Sequence, residues 1–397
     1  MAERKNKLHF LIYLAGLSII GFLSTDMYLP AFDAMRTDLA TSKTSIAASL
    51  SLFLGGFAIA QLIWGPISDR YGKANAIILG LSVFAAASMG IFFTKNIILI
   101  LTLRVVQAIG ACAATVSWQA LVIERYDSSA TSKIFATIMP LVALSPAIAP
   151  LLGVYILKKY GWRFIFLALV LVAFLLILYT FTMRDGKNRE DSGNESVNKT
   201  GKSYLSLLKS KRYIGNVMIY AFCSAGFFAW LTGAPFFFKD LGYNETEIGL
   251  SFVPQTVAFI VGGYGYRTLS DRIKGSRIMP HLLWIYAACM VALLGITLFT
   301  EPTMLTLLIP FCIMALANGA CYPIAVNEAL NIFPAHSGKA SALQNTIQLG
   351  SCFVASAVVS LFSHMALLAT AIVMVSTVIF IYFGYQLSLT IPKTANI

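Results

Sequence analysis

The chain has 397 residues, 58% of them hydrophobic and only 12% charged, against roughly a quarter charged in a soluble domain. No core in water hides that much apolar surface, so the composition excludes a water-soluble globular protein and points to helices that face lipid. The formal net charge of +12 would suit a nucleic-acid binder, but the basic residues gather at the ends of apolar runs, which argues against a nucleic-acid partner.

The chain opens with Arg4, Lys5 and Lys7 ahead of a first apolar run, Leu8–Pro30. That run is too long for a signal-peptide core and shows no small-residue cleavage site, so it reads as a retained helix. A bilayer crossing needs about 20 mostly apolar residues. By that measure Ser45–Pro66, Asn75–Phe93, Ile98–Leu121, Ser132–Leu157 and Phe164–Met183 complete a first group of six. Then comes the one long polar stretch, Arg184–Arg212, rich in Lys, Arg, Gly, Asn and Ser, which reads as a disordered linker resting on anionic headgroups. A second group of six follows: Tyr213–Phe237, Glu247–Arg267, Met279–Leu298, Thr303–Val326, Gly338–Phe362 and Ala366–Leu387. The expected organisation is a bundle over 1–183, a cytoplasmic linker over 184–212 and a bundle over 213–397.

With the amino terminus inside, basic residues outnumber those opposite by about three to one, so both termini are expected in the cytoplasm. Lys158, Lys159 and Arg163 form a local exception. The six cysteines fall within apolar stretches and read as small packing residues, without a disulfide framework or metal site.

The second half repeats the first in two places. Ser68-Asp69-Arg70 follows the second span and Ser270-Asp271-Arg272 the eighth, while Ala108-Ile109-Gly110-Ala111-Cys112 lies in the fourth and Ala317-Asn318-Gly319-Ala320-Cys321 in the tenth. Duplicated halves with a site near the midplane suit alternating access.

An ionisable group inside a span is expensive and therefore a functional candidate. Among the acids only Asp26 lies clearly inside one, near the outer end of the first span; Arg104 enters the fourth from the same side. Asp26 is the candidate proton carrier, with Arg104 tuning its hold on the proton; a fixed ion pair or a helix cap is the alternative. Glu124 and Glu328 stand at inner helix ends as surface or gate charges, and His364 at headgroup level. For a substrate, the fourth span offers Ser117, Trp118 and Gln119, the seventh Phe227, Phe228 and Trp230, and the tenth Asn318, Tyr322 and Asn327. The eleventh adds Gln344, Asn345 and Gln348, the two glutamines four apart on one face. Amides can bond the edge of a base and rings can stack on its face, which suits a nucleoside or a flat amphipathic drug; helix–helix hydrogen bonding would use the same amides. A phosphate-loop lookalike, Thr200-Gly201-Lys202-Ser203, has Ser196 at the first glycine position, so an ATP-driven pump is rejected, and nothing clusters as an enzyme site would.

The run Gly65–Lys73, GPISDRYGK, resembles the signature loop of the major facilitator superfamily. In it Gly65 allows close helix approach, Gly72 belongs to the turn, Asp69 can cap a neighbouring helix, and Arg70 and Lys73 hold the turn at the surface. Leu101–Ala111, with Arg104, Gln107 and Gly110, resembles the family's fourth-helix motif. Ser145–Gly153, with Pro146, Pro150 and Gly153, resembles its antiporter motif, although Ala143 and Ser145 stand where glycines are common. The run Ser24–Phe32, containing Tyr28, is similar to the Bcr/CflA branch of drug:proton antiporters. Within that branch, Ser49–Pro66, Phe227–Phe236, Gly249–Phe259 and Ala342–Gly350 resemble a purine nucleoside transporter.

The resemblance implies an all-α membrane protein of the major facilitator fold, with 12 transmembrane helices in two pseudo-symmetric bundles. It implies a proton-coupled exporter of small organic molecules in the bacterial inner membrane, with selective purine nucleoside transport as the alternative. The expected partners are a small-molecule substrate, protons and the bilayer, with no cofactor beyond the proton gradient. Two packed halves complete a pathway in one chain, so a functional monomer is expected.

Overall fold

The computed structural model describes residues 2–187, 204–243 and 245–390, and among them the chain is helical with no strand. The first helices are α1 (Ala2–Asp26), α2 (Phe32–Asp38), α3 (Lys43–Tyr71), α4 (Lys73–Phe93), α5 (Ile97–Arg125), α6 (Ser128–Tyr160) and α7 (Arg163–Lys187). After them come α8 (Tyr204–Leu208), α9 (Lys211–Asp240), α10 (Glu245–Leu269), α11 (Gly275–Phe299), α12 (Met304–Leu330), α13 (Ser337–Leu361) and α14 (Ala366–Ser388). Helices are what lipid permits, because hydrocarbon offers no partner to a free backbone N–H or C=O.

Among the described residues, 11 helices are long and apolar enough to cross a bilayer. The remaining expected span, Ser132–Leu157, lies within the 33 residues of α6. Most of the polar stretch between the two groups, residues 188–203 with the phosphate-loop lookalike, lies outside the described residues. Its last part is helical rather than loop, since α8 covers Tyr204–Leu208 and α9 starts at Lys211. The second span was expected to stop at Pro66, yet α3 continues to Tyr71 with the proline inside it. It stops at Gly72, whose φ of 88° suits a residue without a side chain.

The chain divides into two compact units. Unit 1 comprises Met1–Glu124, Leu144–Gly201 and Ala335–Leu343; unit 2 comprises Arg125–Ala143, Lys202–Pro334 and Gln344–Ile397. Each therefore includes a stretch of sequence from the opposite half, and both α6 and α13 are divided between them. In unit 1, α4 packs against α7 and α3, and α1 against α7. In unit 2, α9 packs against α14 and α12, and α12 also receives α10 and α11.

The repeated Ala-x-Gly-Ala-Cys runs serve these contacts. A Cβ at Gly110 would stand 2.5 Å from the Phe84 backbone nitrogen on α4, and one at Gly319 would run into the Phe259 carbonyl on α10. In both places the glycine lets two helix backbones touch, which is how helices associate without a hydrophobic drive. The neighbours are not equivalent by the repeat, since α4 is the third span and α10 the eighth.

The basic cluster that ran against the charge bias is partly neutralised. Arg163 Nη1 donates to Asp38 Oδ2 at 2.5 Å, and Trp162 Nε1 donates to the same oxygen at 3.2 Å, tying the end of α2 to the start of α7. The guanidinium also lies 4.3 Å from the Trp162 ring. The hydrogen bond from Arg163 holds the Asp38 carboxyl below its ordinary value. A depressed carboxyl contributes stability above its unfolded value, from about pH 4 upward, and loses it as pH falls through the lower folded value. Asp38 is 42% exposed, so the contribution should stay within about 1 kcal/mol. Melting curves in detergent from pH 6 to pH 3 should show Asp38→Asn less stable at pH 6 and equal to wild type at the acid end.

Candidate functional site

Arg104 is fully buried on α5, and its guanidinium lies between two rings: Tyr28 at 4.2 Å and Phe53 at 4.4 Å to the centroids. A desolvated cation over a ring gains about 2 kcal/mol. Nη1 donates to the Ser24 carbonyl at 3.1 Å and to Gln107 Oε1 at 2.5 Å. Gln107 Nε2 in turn donates to Ser88 Oγ on α4 at 2.7 Å, and Ser88 donates to the Phe84 carbonyl at 2.7 Å. Gln107 lies one turn from Arg104, so one helix face positions both. The Tyr28 hydroxyl shares a proton with Ser49 at 3.1 Å, which fixes the ring. Arg104 Nε and Nη2 have no hydrogen-bond partner.

Asp26 is the last residue of α1, two residues after the carbonyl that Arg104 holds. Its Oδ1 lies 2.9 Å from Thr25 Oγ1, and Oδ2 is buried without a partner. Thr25 Oγ1 is also 3.0 Å from the Phe22 carbonyl and 3.4 Å from that of Gly21, so its single proton has three acceptors to choose between. The carboxyl and the guanidinium thus share one turn of α1 but take different partners. This differs from a fixed ion pair, because Arg104 is held by a carbonyl, an amide and two rings.

Nearby, a Cβ at Gly153 on α6 would collide with the Met27 carbonyl, so the glycine lets α6 cross the chain next to Asp26. Pro150 is half-buried on the same helix, while the side chain of Pro146 lies outside those described.

The loop after α3 is held by a carboxylate. Asp69 Oδ1 accepts from the Gly338 N–H and Oδ2 from the Lys339 N–H, both at 2.9 Å, so Asp69 caps α13. Lys73 Nζ donates to Oδ1 at 2.6 Å. Lys73, expected at the surface, is therefore only 8% exposed because its ammonium is held inward. Arg70 remains exposed, over the Tyr71 ring at 5.4 Å. Gly65 contributes close approach, its carbonyl lying 2.9 Å from where a Gly338 Cβ would stand. On the same side Gln119 Oε1 accepts from Ser341 Oγ at 2.6 Å, and Trp118 is buried.

Ser117 is buried in unit 1 with its hydroxyl unpartnered, and the remaining substrate candidates belong to unit 2. Trp230 stacks on Phe311 at 4.0 Å and 11°, with its indole N–H unpartnered. Asn318 Nδ2 reaches the Cys223 carbonyl at 3.3 Å, but its Oδ1 has no partner. Tyr322 meets Tyr220 and Phe259 edge-on. Gln344 is fully buried with both amide atoms unpartnered, Asn345 is buried, and Gln348 reaches the Cys352 sulfur at 3.6 Å. Two buried amides escaped the sequence reading: Gln61, with neither amide atom partnered, and Gln255, with Oε1 free. Their signal is the one used for Gln344, a lone amide inside an apolar run. Phe53 had no signal, being one of 28 phenylalanines. Among the described residues no cluster of His, Cys, Asp or Glu could hold a metal.

The family described as Major Facilitator Superfamily matches residues 14–356. An uncharacterized MFS-type transporter, YdgK of Bacillus subtilis (strain 168), is 28% identical over 379 residues, 94% of each chain. A chloramphenicol resistance protein of Pseudomonas aeruginosa is 28% identical across 84% of this chain and 79% of its own. Multidrug resistance protein D of Escherichia coli (strain K12) is 24% identical across 89% of both. A crystal structure of double-tryptophan XylE mutants aligns with a TM-score of 0.76 over 95% of each chain at 16% identity, a likeness of fold alone.

Arg104→Lys replaces a planar fork with a point charge that serves neither ring as well. The loss should be on the order of 2 kcal/mol, seen as a lower melting midpoint in detergent, whereas Arg70→Lys should leave the midpoint unchanged. Asp69→Asn keeps one acceptor and loses the charge, and should cost about 1 kcal/mol in the same measurement.

Proposed function

Because the chain belongs to the major facilitator superfamily, and is by that membership a transporter rather than an enzyme, we propose that it exports small organic molecules in exchange for protons. The setting we propose is the bacterial inner membrane, with both termini in the cytoplasm and one chain as the working unit. The names of the chloramphenicol and multidrug resistance relatives support export. Alternating access by two related halves is the mechanism the repeated motifs favour.

One observation carries the proton coupling: Asp26 is an acid within a span, with a buried oxygen that nothing partners. It stands at the carbonyl end of α1, where peptide dipoles add negative potential. As an acid it would donate to Thr25, freeing the threonine proton for the Phe22 carbonyl. As a carboxylate it would attract the unpartnered donors of Arg104, already anchored to the same turn. Proton release and substrate entry would then compete for Arg104 and its ring-lined surroundings, in which no other carboxylate among the described residues takes part.

For the substrate, unpartnered atoms on Trp230, Asn318 and Gln344 beside stacked rings favour a flat molecule with both donors and acceptors. Drugs of that shape fit, and so does a purine nucleoside, the second reading. Inside-out and right-side-out vesicles under an imposed pH gradient would separate the two, using labelled adenosine, chloramphenicol and a cationic dye. Chloramphenicol or dye flux without adenosine flux is the expected result; adenosine flux alone would establish the second reading. Asp26→Asn should abolish the dependence of flux on the pH gradient, and wild-type coupling in that variant would remove Asp26 from the role.

A further inference from the structure

A cavity of about 1380 Å³ lies wholly within unit 2, at the ends of α6, α9, α11 and α12. Of the residues considered above for substrate or gating, only Asn327 and Glu328 line it, and neither Asp26 nor Arg104 does. Its wall carries five cations, Lys209, Lys211, Arg212, Arg272 and Lys274, against two carboxylates, Asp271 and Glu328. Both carboxylates already have cations: Asp271 pairs with Lys133, and Glu328 with Arg212 at 3.3 Å. Four positive side chains therefore line one hollow without a carboxylate of their own among the described residues.

The rest of the lining suits an anion. The floor is polar and buried, with Ser132 sharing a proton with Tyr266 at 2.6 Å and Asn327 donating to Ser128 at 3.2 Å. Gly275 and Ser276, which open the 25-residue α11, also line the cavity, and no side chain caps that helix. Its first N–H groups lack partners within the helix and add to the positive field. Like charges crowded at one site repel each other unless a counter-charge joins them, and multidentate oxyanions match several donors at once. The volume exceeds the ~300–1,000 Å³ of ordinary small-molecule pockets, so the anion would occupy the cationic wall and leave space for an attached organic group.

We propose that this cavity binds a phosphate-bearing anion, held by Lys209, Lys211, Arg272 and Lys274. The phosphate can belong to a phospholipid headgroup or to a soluble phosphate ester, and the chemistry of recognition is the same. The four cations that hold the anion are distinct from Asp26, Arg104, Trp230, Asn318 and Gln344, on which the proposed transport rests; Asn327 alone of the substrate candidates lies on the cavity floor.

The full-length protein in neutral detergent, at low and constant ionic strength, is titrated with sodium pyrophosphate and, separately, with cardiolipin against phosphatidylcholine. The readout is the melting midpoint. The triple variant Lys211→Gln, Arg272→Gln, Lys274→Gln should need about tenfold more ligand for the same rise. A control carrying Lys158→Gln and Lys159→Gln, in unit 1, should respond as wild type. Glu328→Gln, which releases Arg212, should strengthen the response. A rise with pyrophosphate identifies a soluble ligand, and a rise with cardiolipin alone identifies a headgroup. Should the triple variant fail to accumulate, Lys274→Gln alone gives the same comparison in smaller measure. The proposal falls if neither probe raises the midpoint, or if the cavity variants respond as wild type does.

Discussion

Hydrocarbon cannot hydrogen-bond, so every polar group within a span must be satisfied by the chain itself. The backbone meets this demand by being helical, and many of the small hydroxyl side chains meet it by bonding back to a carbonyl three or four residues earlier. Ser24, Ser88, Thr180, Thr370 and Thr377 all do so. Against that background the unsatisfied atoms stand out. Among them are atoms of Asp26, Gln61, Arg104, Trp230, Gln255, Asn318 and Gln344. Each leaves donors or acceptors idle where an idle polar atom is expensive, and a solute or a proton would supply what is lacking.

Arg104 is the most demanding of these groups. A buried guanidinium without a carboxylate relies on weaker partners, and the protein supplies several: two aromatic faces, a backbone carbonyl and an amide oxygen. The arrangement leaves Asp26 without a permanent cation, although the two share a turn of α1. A permanent ion pair would be harder to separate than this divided arrangement. The major facilitator fold, with its closely packed helices at Gly110 and Gly153, keeps both groups close to the same stretch of backbone.

Much of the fold was legible because lipid imposes so simple a rule on composition. Apolar length marked the spans, and the helices follow them, overshooting at Pro66, where a proline that would end a helix in water sits inside one. The position of the acid and the arginine was legible for the same reason, since charges in apolar runs are rare. What the residues touch was not. The acceptor that holds Arg104 is the Ser24 carbonyl, which every residue possesses, and Phe53 cannot be told by sequence from its many fellows. Asp69 could be read as a helix cap, but not which helix it caps, because α13 begins 268 residues after it.

That cap constrains the two residues it holds in different ways. Asp69 grips α13 by the backbone N–H groups of Gly338 and Lys339, and a grip on backbone ignores what side chains those residues carry. At position 339 the hold asks only for a backbone N–H. At position 338 it also excludes a side chain, since a Cβ there would press against Asp69 Oδ1 at 2.6 Å and the Gly65 carbonyl at 2.9 Å. One carboxylate therefore constrains two adjacent residues unequally, by side-chain size at 338 and only by the backbone N–H at 339.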